Sequence, residues 1–263
     1  MQADRLGRAF LALELLAEAP HGLTISEVSR TLDLPMSSTH DLLLALAQLR
    51  LVDVSESRYK IGPKATALSV KILDGLEIRS AARSHILRLM LTIQEDVYLA
   101  VPSGNQLMYV DRYIGERGVS VRIRLGERLR LHSTAVGKLF AAYDDRFRRQ
   151  LLEGSRAKLT PTTITKKSDL LRELDNIWRN HFSVSHGESF TGVTGIAVPV
   201  WGVGQQLVAA VHVSSLESLV DEPRLNELVV EMNSTAAQIT HDLGGSLPDL
   251  SDGWSHAAQL ARR

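Results

Sequence analysis

The chain has 263 residues, and its 30 Lys and Arg balance its 30 Asp and Glu. No global charge therefore drives it onto nucleic acid or an anionic surface, and a nucleic-acid site must concentrate its cations locally. With no cysteine anywhere, a disulfide framework, a cysteine-held zinc and a thiol nucleophile are excluded. The length suits two domains. A charged opening, MQADRLGRAF, and no apolar run of about 18 residues lead to the expectation of a soluble, cytoplasmic protein without a membrane partner.

In chain order, Leu6, Phe10, Leu13, Leu16 and Ala17 recur at helical spacing up to Pro20-His21-Gly22. Thr24 and Glu27 have the spacing of a capping box, and Ile25, Val28 and Leu32 give the helix they start an apolar face. Asp33-Leu34-Pro35 ends that helix, because the residue before proline leaves helical space. Ser37-Ser38-Thr39 puts hydroxyls on the first turn of another, whose buried face is Leu42, Leu43, Leu46 and Leu49. Leu51 to Val54 and Arg58 to Ile61 read as two short strands joined through Ser55-Glu56-Ser57. Two helices across a tight turn, backed by a first helix and followed by a ribbon, predict a winged helix-turn-helix over residues 1–63. An αα-hairpin that only packs is the plain alternative.

For DNA, the expected contacts are Thr24, Ser37, Ser38, Thr39, His40 and Asp41 around the helix starts, with Arg58 and Lys60 on the wing. Ordinary capping is the other reading of the hydroxyls. Leu44 reads as a partly exposed leucine rather than a thymine-methyl contact. Residues 1–62 hold six basic side chains against eight acidic ones, so weak binding per half-site is expected, because phosphate neutralisation supplies much of the affinity for DNA. A helical linker follows over 64–94, with a break expected near Gly75 or Arg79-Ser80.

From Asp96 the apolar period changes to about two. Strands are expected at 97–101, 107–111, 119–125, 182–184, 195–200 and 207–214, and helices at 132–143, 146–152, 166–180 and 223–243. Mixed strands and helices argue an α+β domain over 95–244, with a tail at 245–263. Arg112, Arg117, Arg122, Arg124, Arg128 and Arg130 form a basic run that reads as a solvated sheet face. His181 and His186 lack the spacing of a metal site, no nucleophile elbow or phosphate loop is present, and no cofactor is expected.

Several motifs together resemble the IclR family of transcriptional regulators over nearly the full length. At the front these are Leu34-Pro35-Met36-Ser37-Ser38 and Arg58-Tyr59-Lys60-Ile61-Gly62. In the second domain they are Leu131-His132-Ser133-Thr134-Ala135-Val136-Gly137-Lys138, and Glu188 with the run from Gly192 to Val200. The resemblance implies a GAF-like effector domain with an antiparallel sheet, a homodimer or dimer of dimers, double-stranded operator DNA as partner, and a small organic acid as effector. It implies a repressor of a catabolic operon and no enzymatic activity. Carried over by position, the effector pocket is lined by Leu129, Ala135, Val136, Ser185, Val193, Gly195, His212 and Ser214. His212 and Ser214 lie on one face of their strand, Gly195 leaves room for a ring, and Glu188 reads as a structural partner. The family usually carries a basic residue where Asp41 sits and a glycine where Arg50 ends the recognition helix. The rival from another class is a small-molecule-binding or hydrolytic enzyme with a degenerate helical front end.

Overall fold

A computed structural model of the chain describes residues 5–117 and 123–248. By contact the chain divides into two compact units, Met1–Leu76 and Glu77–Arg263. The helical stretch breaks at Gly75, so its first helix belongs to the first unit and its second to the other.

The first unit is built from α1 (Arg5–Ala17), α2 (Ile25–Thr31), α3 (Met36–Gln48), β1 (Val52–Ser55), β2 (Arg58–Ile61) and α4 (Pro63–Asp74). Thr24 caps α2: its hydroxyl accepts from Glu27 N, while the Glu27 carboxylate accepts from Thr24 N at 2.7 Å. That capping box is as expected, and so is the placing of Ser37 and Ser38 on the first turn of α3. There the N-cap is Pro35, without any side-chain hydrogen bond, so Ser37 and Ser38 sit inside the first turn rather than capping it. Proline fixes the extended φ that a cap needs and has no N–H to lose. Ala12, Leu16, Val28, Leu43, Leu46 and Val52 fill the core between the helices and the ribbon. Glu56 and Ser57, both at positive φ, make the two-residue turn between β1 and β2, and such primed turns match strand twist. Leu23 adds a single antiparallel bridge to Tyr59 at the edge of the ribbon. Gly62 closes the ribbon, since a Cβ there would stand 2.5 Å from the Arg50 carbonyl oxygen.

In the second unit α5 (Glu77–Ile93) leads into β3 (Asp96–Ser103) and β4 (Gln106–Tyr113). Next come α6 (Ala135–Tyr143), α7 (Asp145–Glu153) and α8 (Lys167–Asn180). The chain then returns as β5 (Ser183–His186), β6 (Val193–Trp201), β7 (Leu207–Leu216) and α9 (Glu222–Asp242). Among the described residues the sheet has five antiparallel strands in the order β4-β3-β7-β6-β5. Alternation decides what each face meets. Tyr98, Ala100, Ala197 and Ala210 join the core of α6, α7 and α8. Val97, Leu99, Val211 and Val213, buried on the alternate face, lie on the side that α5 and α9 cover. The fold is α+β with an antiparallel sheet. One expected strand, 119–125, falls mostly on 118–122, outside the described residues, while Ile123 and Arg124 take no regular secondary structure. The helix expected from His132 starts at Ala135, capped by the Thr134 hydroxyl, which accepts from Gly137 N.

Candidate functional site

Two groups of residues gather chemistry, one in each unit. On α3 the solvent face carries Ser37, Ser38, His40, Asp41 and Leu44. Asp41 is 78% exposed, and its carboxylate lies 3.6 Å from His40 Nδ1. With His40 neutral this face has one charge, a negative one. Two residues expected here are occupied elsewhere. Thr39 is fully buried and its hydroxyl donates to Pro35 O at 3.1 Å, so it serves the helix interior. The Thr24 hydroxyl is used in the capping box. On the wing Arg58 donates to Gly22 O at 2.9 Å and lies 3.8 Å from the Glu27 carboxylate. Lys60 stands directly across from Asp53 in the ribbon. Both wing cations thus have an acid nearby.

In the second unit a cavity of about 130 Å³ opens between the sheet and the start of α6. Its wall draws on four strands and a loop, among other segments: Tyr109 from β4, Ser185 from β5, Gly195 from β6, His212 and Ser214 from β7, and Ser189 with Phe190 from the connection between β5 and β6. A Cβ on Gly195 would meet His212 Nε2 at 2.8 Å and the Ala135 Cβ at 3.8 Å, so only glycine leaves that spot open. Seven of the eight expected residues line this cavity: Leu129, Ala135, Ser185, Val193, Gly195, His212 and Ser214. Val136 does not. One residue further around α6, about 100° on, it is fully buried in the helical core.

Tyr109, Ser189 and Phe190 were not anticipated. Nor were Arg124, Arg128 and Arg130 anticipated at a cavity, where all three contribute to the lining. The alternation of the basic run predicts a solvated sheet face. In fact the segment from Gly126 to Leu129 runs beside β4, with Gly126 N donating to Tyr109 O and Leu129 N to Leu107 O. That brings the exposed arginines beside the cavity. Tyr109 had a signal in the alternation of β4, but nothing in the sequence shows which strand lies beside which.

His212 and Tyr109 are both buried, and the Tyr109 hydroxyl lies 3.1 Å from His212 Nδ1. Burial pushes the imidazole down to about 3, so it is neutral throughout the physiological range. Burial also raises the Tyr109 phenol, helped by the neighbouring Tyr98. The rings of Tyr98 and Tyr109 lie 5.3 to 5.6 Å from the imidazole. The polar groups beside this trio differ in what they have left to offer. Ser185 and Ser189 both donate to Ser133 O, and Thr134 donates to Arg130 O.

Beneath the cavity, one turn along α6, lies the fully buried Lys138. Its ammonium donates to Glu188 Oε1 at 2.6 Å, Glu173 Oε1 at 2.7 Å and Val184 O at 2.7 Å. Burial raises the Glu188 carboxyl while Lys138 opposes the rise. Glu188 is therefore a structural partner. It fastens α6 to the loop that carries Ser189 and Phe190. Among the described residues no group of three or more His, Cys, Asp or Glu side chains could hold a metal ion, and no helix is long and apolar enough to cross a membrane.

Comparison with known proteins supplies the frame for both groups. The model of the IclR helix-turn-helix domain matches residues 6–55, and that of the bacterial transcriptional regulator IclR C-terminal region matches residues 70–241. The chain is 30% identical over 243 residues to the glycerol operon regulatory protein of Streptomyces griseus, covering 91% of this chain and 96% of that one. It is 27% identical over 246 residues to the transcriptional repressor AllR of Escherichia coli, covering 92% and 91%. In structure it resembles an IclR homologue of Microbacterium hydrocarbonoxydans, crystallised with 4-hydroxybenzoate. The TM-score is 0.83 at 24% identity, over 92% of this chain and 100% of the other. With both of its units matched in order, the chain belongs to the IclR family of DNA-binding transcriptional regulators.

Proposed function

We propose that the protein is a cytoplasmic repressor of a catabolic operon, released or engaged by a small organic acid that occupies the cavity beside α6. The observation that carries this reading is the cavity itself. Cavities of roughly 150 Å³ take up one benzene ring, and about 130 Å³ is available here. Arginines lie beside it and suit a carboxylate. The 4-hydroxybenzoate named for the Microbacterium homologue is a ring acid of this size.

Ser37, Ser38, His40 and Asp41 present the recognition face, with Arg58 and Lys60 as wing cations. A homodimer, or a dimer of dimers, would place two such faces about 34 Å apart on a pseudo-palindrome. The helical stretch 64–94 would carry the response from effector domain to DNA domain. The effector can change operator affinity only by as much as its affinity differs between the two states.

The test is an electrophoretic shift with the chain's own upstream region, with and without a panel of aromatic and aliphatic acids. Thermal shift reports which acids bind the native state. A specific shift at low salt that one stabilising acid alters is the expected result. No shift at any salt, with or without acid, would sink the reading.

A further inference from the structure

From the cavity floor we infer an orientation and a specificity device: His212 reads an uncharged acceptor oxygen at the inner end of the effector, while the carboxylate stays beside Arg124, Arg128 and Arg130. The inference rests on the reading of this cavity as an organic-acid site.

Four observations support it. First, His212 and Ser214 are nearly fully buried residues that line the cavity, and no hydrogen bond among the described residues uses His212 Nε2 or Ser214 Oγ. Both atoms keep their hydrogen-bonding capacity for whatever enters the cavity. Second, Nε2 lies 2.8 Å from where a Gly195 Cβ would stand, so the missing side chain leaves that atom uncovered.

Third, the tautomer follows from the Tyr109 hydroxyl. His212 Nδ1 is its one hydrogen-bond partner among the described residues, and Tyr109 is 2% exposed. Were Nδ1 to carry the proton, the Tyr109 O–H would be a buried donor without an acceptor. Tyr109 therefore donates to a bare Nδ1, and the imidazole proton sits on Nε2. Tyr109 acts as a positioning residue, turning the floor into a donor. Ser214 adds a second hydroxyl that can donate.

Fourth, the charges sit elsewhere. His212 and Ser214 are both neutral, and the start of α6 contributes only about half a charge. Among the exposed lining residues three guanidinium groups outnumber one carboxylate, Glu127, which lies 3.5 Å from Arg124, so the rim is net positive. A carboxylate keeps its charge partners there, whereas at the floor it would be desolvated without a full counter-charge. A phenol, alcohol or carbonyl oxygen satisfies Nε2–H without that penalty.

The experiment measures dissociation constants by calorimetry for three probes of nearly one shape: 4-hydroxybenzoate, 4-methylbenzoate and benzoate. Wild type is expected to prefer 4-hydroxybenzoate to 4-methylbenzoate by about ten- to hundredfold, the range of a buried donor made or left unpaired. In His212→Phe that preference falls to about twofold or less, with benzoate little changed. Gly195→Ala, which places a methyl against Nε2, gives the same levelling and covers the case in which His212→Phe does not fold. Histidine ¹⁵N shifts should show the Nε2–H tautomer in wild type and a mixture in Tyr109→Phe, a change that a packing role alone would not produce.

If all three acids weaken alike in both variants, the carboxylate is the group at the floor and the orientation is overturned. A wild-type Nδ1–H tautomer overturns the role of Tyr109. If no acid of any kind binds wild type, the organic-acid reading fails and takes this inference with it.

Discussion

Replacing Lys138 with methionine isolates the energetics of the contact that ties α6 to the loop after β5. The ammonium is fully buried and has three acceptors within 2.7 Å, two of them carboxylates. Methionine fills nearly the same volume, so little cavity is created. What remains is the Glu188 carboxylate, only 5% exposed, whose Oε2 has no hydrogen bond among the described residues. Removing one member of a buried pair costs about 3–5 kcal/mol. Glu173 is 26% exposed and can rehydrate, so the lower half of that range, about 3–4 kcal/mol, is expected. Against a domain stability of about 5–15 kcal/mol this is a large fraction. The loss should also depend on pH in a particular direction. Without Lys138 the Glu188 carboxyl rises further above its ordinary value, since the cation was the influence opposing burial. Between the unfolded and the raised folded pKa the native state binds more protons than the unfolded one, so stability improves as pH falls through that window. Urea unfolding at pH 7 and pH 5 should therefore find the variant closer to wild type at pH 5. The double variant Lys138→Met, Glu188→Gln should recover part of the loss at pH 7. A loss under about 1 kcal/mol at pH 7, or one equal at both pH values, would refute the assignment of a buried, charge-dependent latch.

Four further outcomes follow from single residues. His212, depressed to about 3 in the folded chain, lets the unfolded state bind a proton that the native state refuses; stability is lost as pH falls below about 6.5. The loss reaches about 2 kcal/mol at pH 5, and a wild-type pH profile that His212→Phe does not flatten would contradict it. Gly195→Trp fills the spot beside Nε2 and should abolish the acid response in the shift assay while operator binding persists; a retained response removes the pocket from this wall. Arg50 has φ +57 just past the end of α3, a conformation that costs a residue with a Cβ about 1–2 kcal/mol, so Arg50→Gly should stabilise by about 0.5–1 kcal/mol in urea unfolding after the added chain entropy; a destabilised variant would show the arginine side chain holding the turn. Asp41→Asn should tighten binding to random-sequence DNA, through lost phosphate repulsion. It should also move one selected base per half-site from cytosine to adenine, and an unchanged selection profile would place Asp41 off the bases.

What the sequence disclosed and what it withheld divide along chain separation. Capping boxes, turn residues and strand alternation act over two to four residues, so the Thr24 cap and the shared face of His212 and Ser214 were legible. The first turn of α3 was legible at the same short range, and only the alternative reading of its serines as caps failed, because Pro35 takes that role. Tyr109 and His212 are 103 residues apart and Lys138 and Glu188 are 50 apart. Each residue stood in plain view, but their meeting depends on strand order β4-β3-β7-β6-β5, which no local pattern encodes. The arginines went astray for a related reason. Alternation told which side chains share a face, but not that the segment from Gly126 to Leu129 turns back beside β4 and presents that face to a cavity.

The same geometry limits where an effector can produce movement. Its floor is the sheet, where Gly195 and His212 sit opposite Ser214 and Ala197 in continuous strand pairing; shifting them would break several ladder bonds at once. One turn along α6 from the cavity, the Lys138 contacts hold that helix to α8, to Val184 of β5 and to Glu188, just ahead of Ser189. The Ser189–Phe190 stretch is held differently. Phe190 is 50% exposed, and Ser189 is joined to Ser133 by one hydroxyl contact to its carbonyl and one to its own hydroxyl. Hydrogen bonds of this kind are worth about 1 kcal/mol net, well below the ionic latch beside it. A ligand making only a few contacts can bias the weaker attachment and leave the stronger one intact. On the proposed effector reading, Ser189→Ala against Lys138→Met separates the two attachments: the first should alter effector affinity at unchanged stability, the second stability first.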